Sequence, residues 1–336
     1  MIREETVFGP IFSRRLGSSL GINLLPEKGK ICNFDCIYCE CGWNRDGRND
    51  TVLPTAEKVR TDLERMLKKL AAEGTPVDSI TFSGDGEPTL NPEFPRIIDD
   101  TLRLRDLYYP QAKVSVLSNA TRVHLPEVFN ALRKVDNPIM KIDAPTNELV
   151  AKINMPAPGY DLQRVIEALK RFEGNFVLQT CMLRTENGER RVESGERRVE
   201  SGERRVESGE RRVESGERRV ESGERRVESG ERRVESGERR VESGERRVES
   251  GERRVESGER GAELVFDSSS PEVVGPMMDI VRLLKPREWM VYTIDRATPM
   301  QGLVKFSPQE MKSLVQPIID EGVTEVQIKG AVEDEN

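Results

Sequence analysis

Four of the five cysteines in this 336-residue chain lie between residues 32 and 41. Three of them, Cys32, Cys36 and Cys39, stand in C-x3-C-x2-C spacing. Thiolates this close in sequence can wrap three corners of a cubane iron–sulfur cluster and leave its fourth iron without a protein ligand. An open metal position binds a substrate or cofactor directly, as the open position of a catalytic zinc does. A zinc knuckle is the competing reading, and it needs a fourth ligand. The sole histidine, His124, is remote in sequence, and Cys41 follows Cys39 so closely that the chain has little room to turn. A secreted disulfide framework would spread its cysteines, whereas a tight group reads as a metal site, so the cytoplasm is the expected compartment.

Other residues could complete such a site. In Phe82-Ser83-Gly84-Asp85-Gly86-Glu87-Pro88-Thr89-Leu90, the glycines let backbone approach a ligand and the Glu87 carboxylate suits an ammonium group. A plain tight turn would use the same glycines. Ser118-Asn119 offers donors and acceptors at a strand end, or simply a turn. Lys141 and Asp143 alternate with Met140 and Ile142, so their face must meet solvent, a salt bridge or a cavity. Asp143 is the better site candidate of the two. Gln179 and Cys181 share a face of a further strand and could line the same cavity, though Cys181 reads equally as an ordinary buried thiol.

The elements that must position these residues alternate. Short apolar runs at 20–25, 79–83, 113–117, 139–143, 176–183 and 289–294 have strand length. Between them, Val59, Leu63, Met66, Leu67 and Leu70 form a helical stripe after Pro54-Thr55, ending at Gly74. Asn91-Pro92-Glu93 reads as a helix start leading into Phe94, Ile97 and Ile98. Asp161 caps a helix through Leu162, Val165, Ile166, Leu169 and Phe172. Ser270-Pro271 opens another towards Leu284, and Ser307-Pro308 a last one, which Pro317 should kink or shorten. Strands buried on both faces and joined by helices predict an α/β fold with a parallel sheet, a partial (β/α)6 barrel or a strongly curved open sheet, whose site sits at the C-terminal strand ends.

Residues 188–260 interrupt this pattern with a heptapeptide, Gly-Glu-Arg-Arg-Val-Glu-Ser, repeated ten times and followed by Gly-Glu-Arg. One valine per heptad is too little for a coiled-coil seam. Each glycine costs a helix about 1 kcal/mol, against about 0.3 kcal/mol returned by a Glu-to-Arg pair. A disordered segment or marginal helix is expected, and perfect identity between copies points to duplication of the coding sequence. The chain therefore divides into 1–187, the first part of the core; 188–260, the insertion; and 261–336, the last part of the core with a C-terminal extension. The repeat is neutral, so the net charge of −7 belongs to the rest. An acidic core argues against a nucleic-acid partner. No apolar run is long enough to span a membrane, nor does the N-terminus carry the apolar stretch of a signal peptide.

The cysteine spacing resembles the signature of the radical S-adenosylmethionine (SAM) superfamily. Phe8-Gly9-Pro10, Ser13-Arg14-Arg15-Leu16-Gly17 and Ser19-Leu20-Gly21-Ile22-Asn23 are similar to the opening of one branch, the iron–sulfur oxidoreductases related to the tRNA wyosine-synthesis enzyme. The Gly84–Pro88 segment resembles that branch's Gly-Glu-Pro motif, and Tyr292-Thr293-Ile294-Asp295-Arg296 its last barrel strand. The resemblance implies a [4Fe–4S] cluster on Cys32, Cys36 and Cys39, with SAM chelating the open iron. It implies reductive cleavage of SAM to a 5′-deoxyadenosyl radical that acts on a substrate the sequence does not name, and a flavodoxin or ferredoxin as reductant. It places Gly84, Gly86 and Glu87 at the SAM amino group, Tyr38 beside the adenine, Ser118 and Asn119 near the ribose and carboxylate, and Asp143 in the same site. Asp85, interposed between the glycines, departs from the usual pattern. Two alternatives stand beside this reading. An electron carrier that never cleaves SAM would normally supply four thiolates. A tRNA-modifying enzyme of the wyosine type would need cysteines for a second cluster, and only Cys41 and Cys181 are left.

Overall fold

The computed structural model describes residues 5–13, 17–27, 29–47, 50–186 and 264–330. The chain divides into one unit made of 1–185 with 266–336 and a second of 186–265. Nearly all of the second, with the heptapeptide repeat and the expectation placed on it, lies outside the described residues, as do Arg14 and Arg15.

The core unit is built on six consecutive parallel strands: β2 (Gly17–Ile22), β3 (Ser79–Phe82), β4 (Lys113–Ser118), β5 (Asn137–Lys141), β6 (Val177–Thr185) and β7 (Glu288–Thr293). They answer the six apolar runs in order, shifted by a few residues at their ends. The crossover helices are α1 (Ala56–Ala72), α2 (Phe94–Tyr108), α3 (Pro126–Leu132), α4 (Asn147–Ile153), α5 (Leu162–Lys170) and α6 (Pro271–Leu284). This is the open, partial (β/α)6 barrel that the alternation predicts. The apolar runs are continuous because both faces are covered. All of β3 is buried, and Phe82 and Phe94 meet edge to face across the sheet–helix interface at 6.4 Å. Burial of each such ring contributes about 1.5–3 kcal/mol.

Three strands lie beyond the predicted set. β1 (Val7–Ser13) pairs antiparallel with β2 at one edge, β8 (Leu303–Lys305) pairs antiparallel with the end of β6, and β9 (Glu325–Lys329) continues the parallel sheet beyond β7. Local chemistry fixes most helix starts as expected. The Thr55 hydroxyl accepts from Lys58 N at 3.2 Å, and Asp161 accepts from Gln163 N at 3.1 Å. Two expectations need correction. The second helix begins at Phe94 rather than at Pro92: Phe94 N donates to Asn91 O in a turn ahead of it, and the Asn91 side chain accepts from Glu93 N while its amide donates to Leu24 O and Pro54 O. The last helix, α7 (Pro308–Glu321), runs through Pro317 to its left-handed C-cap at Gly322. The carbonyl that Pro317 leaves without its helical partner belongs to exposed Ser313, where water can satisfy it.

On either side of the repeat the chain is fastened to itself. Thr185 N donates to Phe266 O at 2.9 Å, Ser268 N to Leu183 O at 3.0 Å, and Leu183 N to Ser268 Oγ at 3.0 Å. Arg184 and Asp267 form an antiparallel bridge.

Candidate functional site

The cysteine loop sits over the C-terminal end of the sheet and is gripped from two sides. On one side Ile31 makes a parallel bridge with Gly86, through Ile31 N to Asp85 O at 3.2 Å and Glu87 N to Ile31 O at 3.1 Å. A Cβ on Gly86, whose φ is +136°, would lie 1.9 Å from the Ile31 carbonyl oxygen, and one on Gly84 would lie 2.0 Å from Asn23 Oδ1. These two glycines are therefore required by the contact between the two loops and the end of β2. On the other side Asp35 N and Ile37 N donate to Asn154 O and Ile153 O, the C-terminal end of α4, at 2.8 and 3.0 Å.

Sequence reasoning passed over Asn154, yet this fully buried side chain ties the site together. Its amide donates to Asp143 Oδ2 at 2.7 Å, to the Tyr38 oxygen at 3.0 Å and to Cys36 Sγ at 3.3 Å. The Tyr38 hydroxyl in turn donates to Asp143, whose other oxygen accepts from Cys181 N at 2.8 Å. Lys141 lies between two phenol rings, its ammonium 5.1 Å from the Tyr38 ring centre and 5.0 Å from that of Tyr292. It donates to the Tyr292 oxygen at 2.5 Å and to that of Tyr38 at 3.2 Å, with Asp143 at 3.6 Å. Burial pushes the Lys141 ammonium towards losing its proton, but Asp143, with Tyr292 and the sulfurs of Cys181 and Cys36, outweighs this and the net shift is upward. Lys141 is thus a fixed cation, not a free amine nucleophile.

Glu87 is buried and accepts four hydrogen bonds: from Thr89 N at 3.1 Å, Thr89 Oγ1 at 2.6 Å, Ser118 Oγ at 2.9 Å and Asn119 N at 2.7 Å. Burial raises its pKa against the pull of these donors. The carboxylate thereby fastens the loop after β3 to the end of β4. Asn119 carries the connection on to the cysteines, donating from Nδ2 to Asn33 Oδ1 at 2.7 Å and to Cys32 Sγ at 3.6 Å.

The three thiols have graded acidities. Burial pushes Cys32 up, with the Glu87 carboxylate adding to the effect. Burial also pushes Cys36 up to about 11, with Lys141 opposing. Cys39 is lowered, first because the Cys41 thiol donates a hydrogen bond to it and then because Lys30 faces it. Phe34 N donates to Cys32 Sγ at 3.4 Å. Among the described residues no three His, Cys, Asp or Glu side chains converge as ligands of one ion. A cubane asks for thiolates on separate corners instead, with N–H groups directed at sulfur, and the donor set present fits that demand.

Cys36, Tyr38 and Cys39 open onto a cavity of about 450 Å³, which Lys141, Gln179, Cys181 and Tyr292 also line. The structure brings together Cys36, Cys39, Tyr38, Gln179 and Cys181 at one cavity; strand alternation had pointed there only for Gln179 and Cys181. Asp143, Glu87, Ser118 and Asn119 do not line it: Asp143 holds Tyr38, which does, and Glu87, Ser118 and Asn119 tie the loop after β3 to β4 and to Cys32. Tyr292 was visible in sequence only as part of a strand motif.

The radical SAM superfamily profile matches residues 27–197, half of the chain, and the chain belongs to that superfamily of enzymes. It is similar to a UPF0026 protein of Helicobacter pylori (strain ATCC 700392 / 26695), 32% identical over 186 residues that cover 54% of this chain and 57% of that one. A UPF0026 protein of Methanocaldococcus jannaschii is 31% identical over 172 residues, 50% of each chain. The chain thus spans about half the length of these curated relatives. Among solved structures, a radical SAM methyltransferase from Sphaerobacter thermophilus shares the fold, with a TM-score of 0.54 and 10% identity over 95% of this chain and 68% of that one. Among the described residues no helix is long and apolar enough to cross a membrane.

Proposed function

We propose that Cys32, Cys36 and Cys39 hold a [4Fe–4S] cluster and that the adjoining cavity receives SAM. The observation that carries this reading is the opening of the cysteine loop onto a cavity at the C-terminal strand ends, in a chain of this superfamily. When bound, the cluster and SAM supply reductive cleavage of the sulfonium to a 5′-deoxyadenosyl radical, which takes hydrogen from a substrate still to be identified. The chain's own residues do the positioning. Tyr38, held by Asp143 and Asn154, presents its ring at the cavity wall, and Lys141 fixes a positive charge there for an anionic group. Gly84, Gly86 and Glu87 set the loop that grips Ile31, and Ser118 and Asn119 join it to Cys32. A flavodoxin or ferredoxin would supply the electron.

A carrier that only passes electrons has no use for a cavity of this size beside its cluster, which favours the enzyme. Anaerobic reconstitution tests the reading. About four irons and four sulfides per chain, with 5′-deoxyadenosine formed from SAM on reduction, are expected. Cluster uptake without SAM cleavage would return the protein to electron transfer. About eight irons per chain would revive a tRNA-modifying enzyme of the two-cluster type.

A further inference from the structure

Lys30 stands two residues ahead of Cys32, and its side chain is only 1% exposed. Its ammonium donates to Gly42 O at 2.6 Å and to Asp35 Oδ1 at 3.3 Å, so it bridges the beginning and end of the cysteine loop from beneath. A carbonyl at either end would suffice to close a loop, and a neutral donor could serve it. A buried full charge is costly unless something negative faces it. Asp35 answers only in part, since it is 25% exposed and the same oxygen accepts from Asn44 N at 2.8 Å. Gly42, whose carbonyl the ammonium holds, donates its own N–H to Cys39 O at 3.0 Å, so the charge is seated inside the loop that carries the cysteines, where the sulfurs of Cys39, Cys32 and Cys36 act on it.

We propose that Lys30 is a positioning residue that sets the one-electron reduction potential of the cluster held by these three cysteines, favouring the reduced form. The inference rests on the cluster assignment made above. Reduction adds one electron, and hence one negative charge, within the loop. No bond breaks and no proton moves, and the electron comes from an external low-potential donor. A fixed positive charge at the base of the loop stabilises the more negative state, and burial keeps water from screening it. Asp35 opposes this effect, so Lys30 and Asp35 form a pair with opposite influence on the same potential.

The test is an EPR-monitored potentiometric titration, with dithionite as reductant, of the reconstituted full-length protein and three variants. Lys30→Gln keeps a donor for the Gly42 carbonyl but carries no charge. It should lower the ratio of reduced to oxidised cluster at a fixed potential about ten- to a hundredfold, a fall of about 60–120 mV at 59 mV per tenfold. Lys30→Arg should stay close to the wild type. Asp35→Asn, which keeps an oxygen for Asn44 N, should shift the potential upward. Unchanged potentials in variants that retain the wild-type iron content would overturn the inference. If Lys30→Gln fails to hold its iron, Asp35→Asn decides alone: an upward shift supports the inference and an unmoved potential defeats it. A wild-type protein that takes up no cluster defeats the underlying assignment instead, and is told apart by its iron content.

Discussion

The Tyr38 hydroxyl donates to the buried carboxylate of Asp143, which joins the cysteine loop to the chain just beyond β5. Asn154 donates to the same oxygen and Cys181 N to the other, so three donors depend on one side chain. Asp143→Ala should therefore leave all three without their acceptor and destabilise the metal-free protein by about 3 kcal/mol, measured by urea unfolding. Tyr38→Phe, which removes one donor and keeps the ring, should lose only about 1 kcal/mol.

Each of Cys32→Ala, Cys36→Ala and Cys39→Ala should abolish the absorbance of the reconstituted cluster and SAM cleavage, because only three anchors are present. Cys41→Ala should spare both. Loss of the cluster in Cys41→Ala together with its retention in Cys39→Ala would reverse the ligand assignment.

The hydrogen bond from Cys41 and the charge of Lys30 lower the Cys39 pKa, whereas burial raises those of Cys32 and Cys36. In the metal-free protein Cys39 should therefore be the first thiol to become a thiolate as pH rises, and should alkylate with iodoacetamide at a lower pH than the other two. Cys41→Ala should move that onset upward. Peptide mass spectrometry across a pH series reads both effects.

The four bonds accepted by Glu87 make its replacement structural as well as functional. Glu87→Ala should retain the cluster but weaken SAM binding about ten- to a hundredfold, because the loop that grips Ile31 loses its tie to Ser118 and Asn119. Equilibrium dialysis of the reconstituted protein checks this. An unaltered SAM affinity would leave Glu87 a purely architectural part.

Excision of residues 188–257 should preserve folding, cluster content and SAM cleavage. The bonds from Thr185 and Leu183 to Phe266 and Ser268 lie outside the deleted segment and already bring its ends together. Loss of the cooperative thermal transition would show the insertion to be structural, and loss of substrate turnover alone would make it a lid.

The six parallel strands were legible because burial on both faces leaves unbroken apolar runs, as in Ser79–Phe82. β1 was not, because Gly9 and Pro10 interrupt it and Ile11 and Phe12 are exposed, at 53% and 82%, so no alternation survives. β8 has three residues and the half-buried β9 five, while α3 and α4 have seven each, too few to establish a period. In the site, the contiguous cysteines were readable at once. Asn154 and Lys30 were not, because their meaning lies in contacts made by the folded chain: Asn154 reaches Cys36 across 118 positions, and Lys30 looks like any surface lysine until Gly42 closes over it.

The fastening of Thr185 to Phe266 has a consequence for how the gene can change. A unit of seven residues corresponds to seven whole codons, so gain or loss of a copy never shifts the reading frame. Long, identical tandem units are prone to slippage during replication, and the ten copies here supply many alignments for it. With the chain already clasped at Thr185–Phe266 and Leu183–Ser268, closure of the core at this point does not depend on how many copies lie beyond the clasp. Selection for the fold therefore exerts no restoring force on copy number, and related strains should differ in the length of this segment while keeping every residue of the clasp.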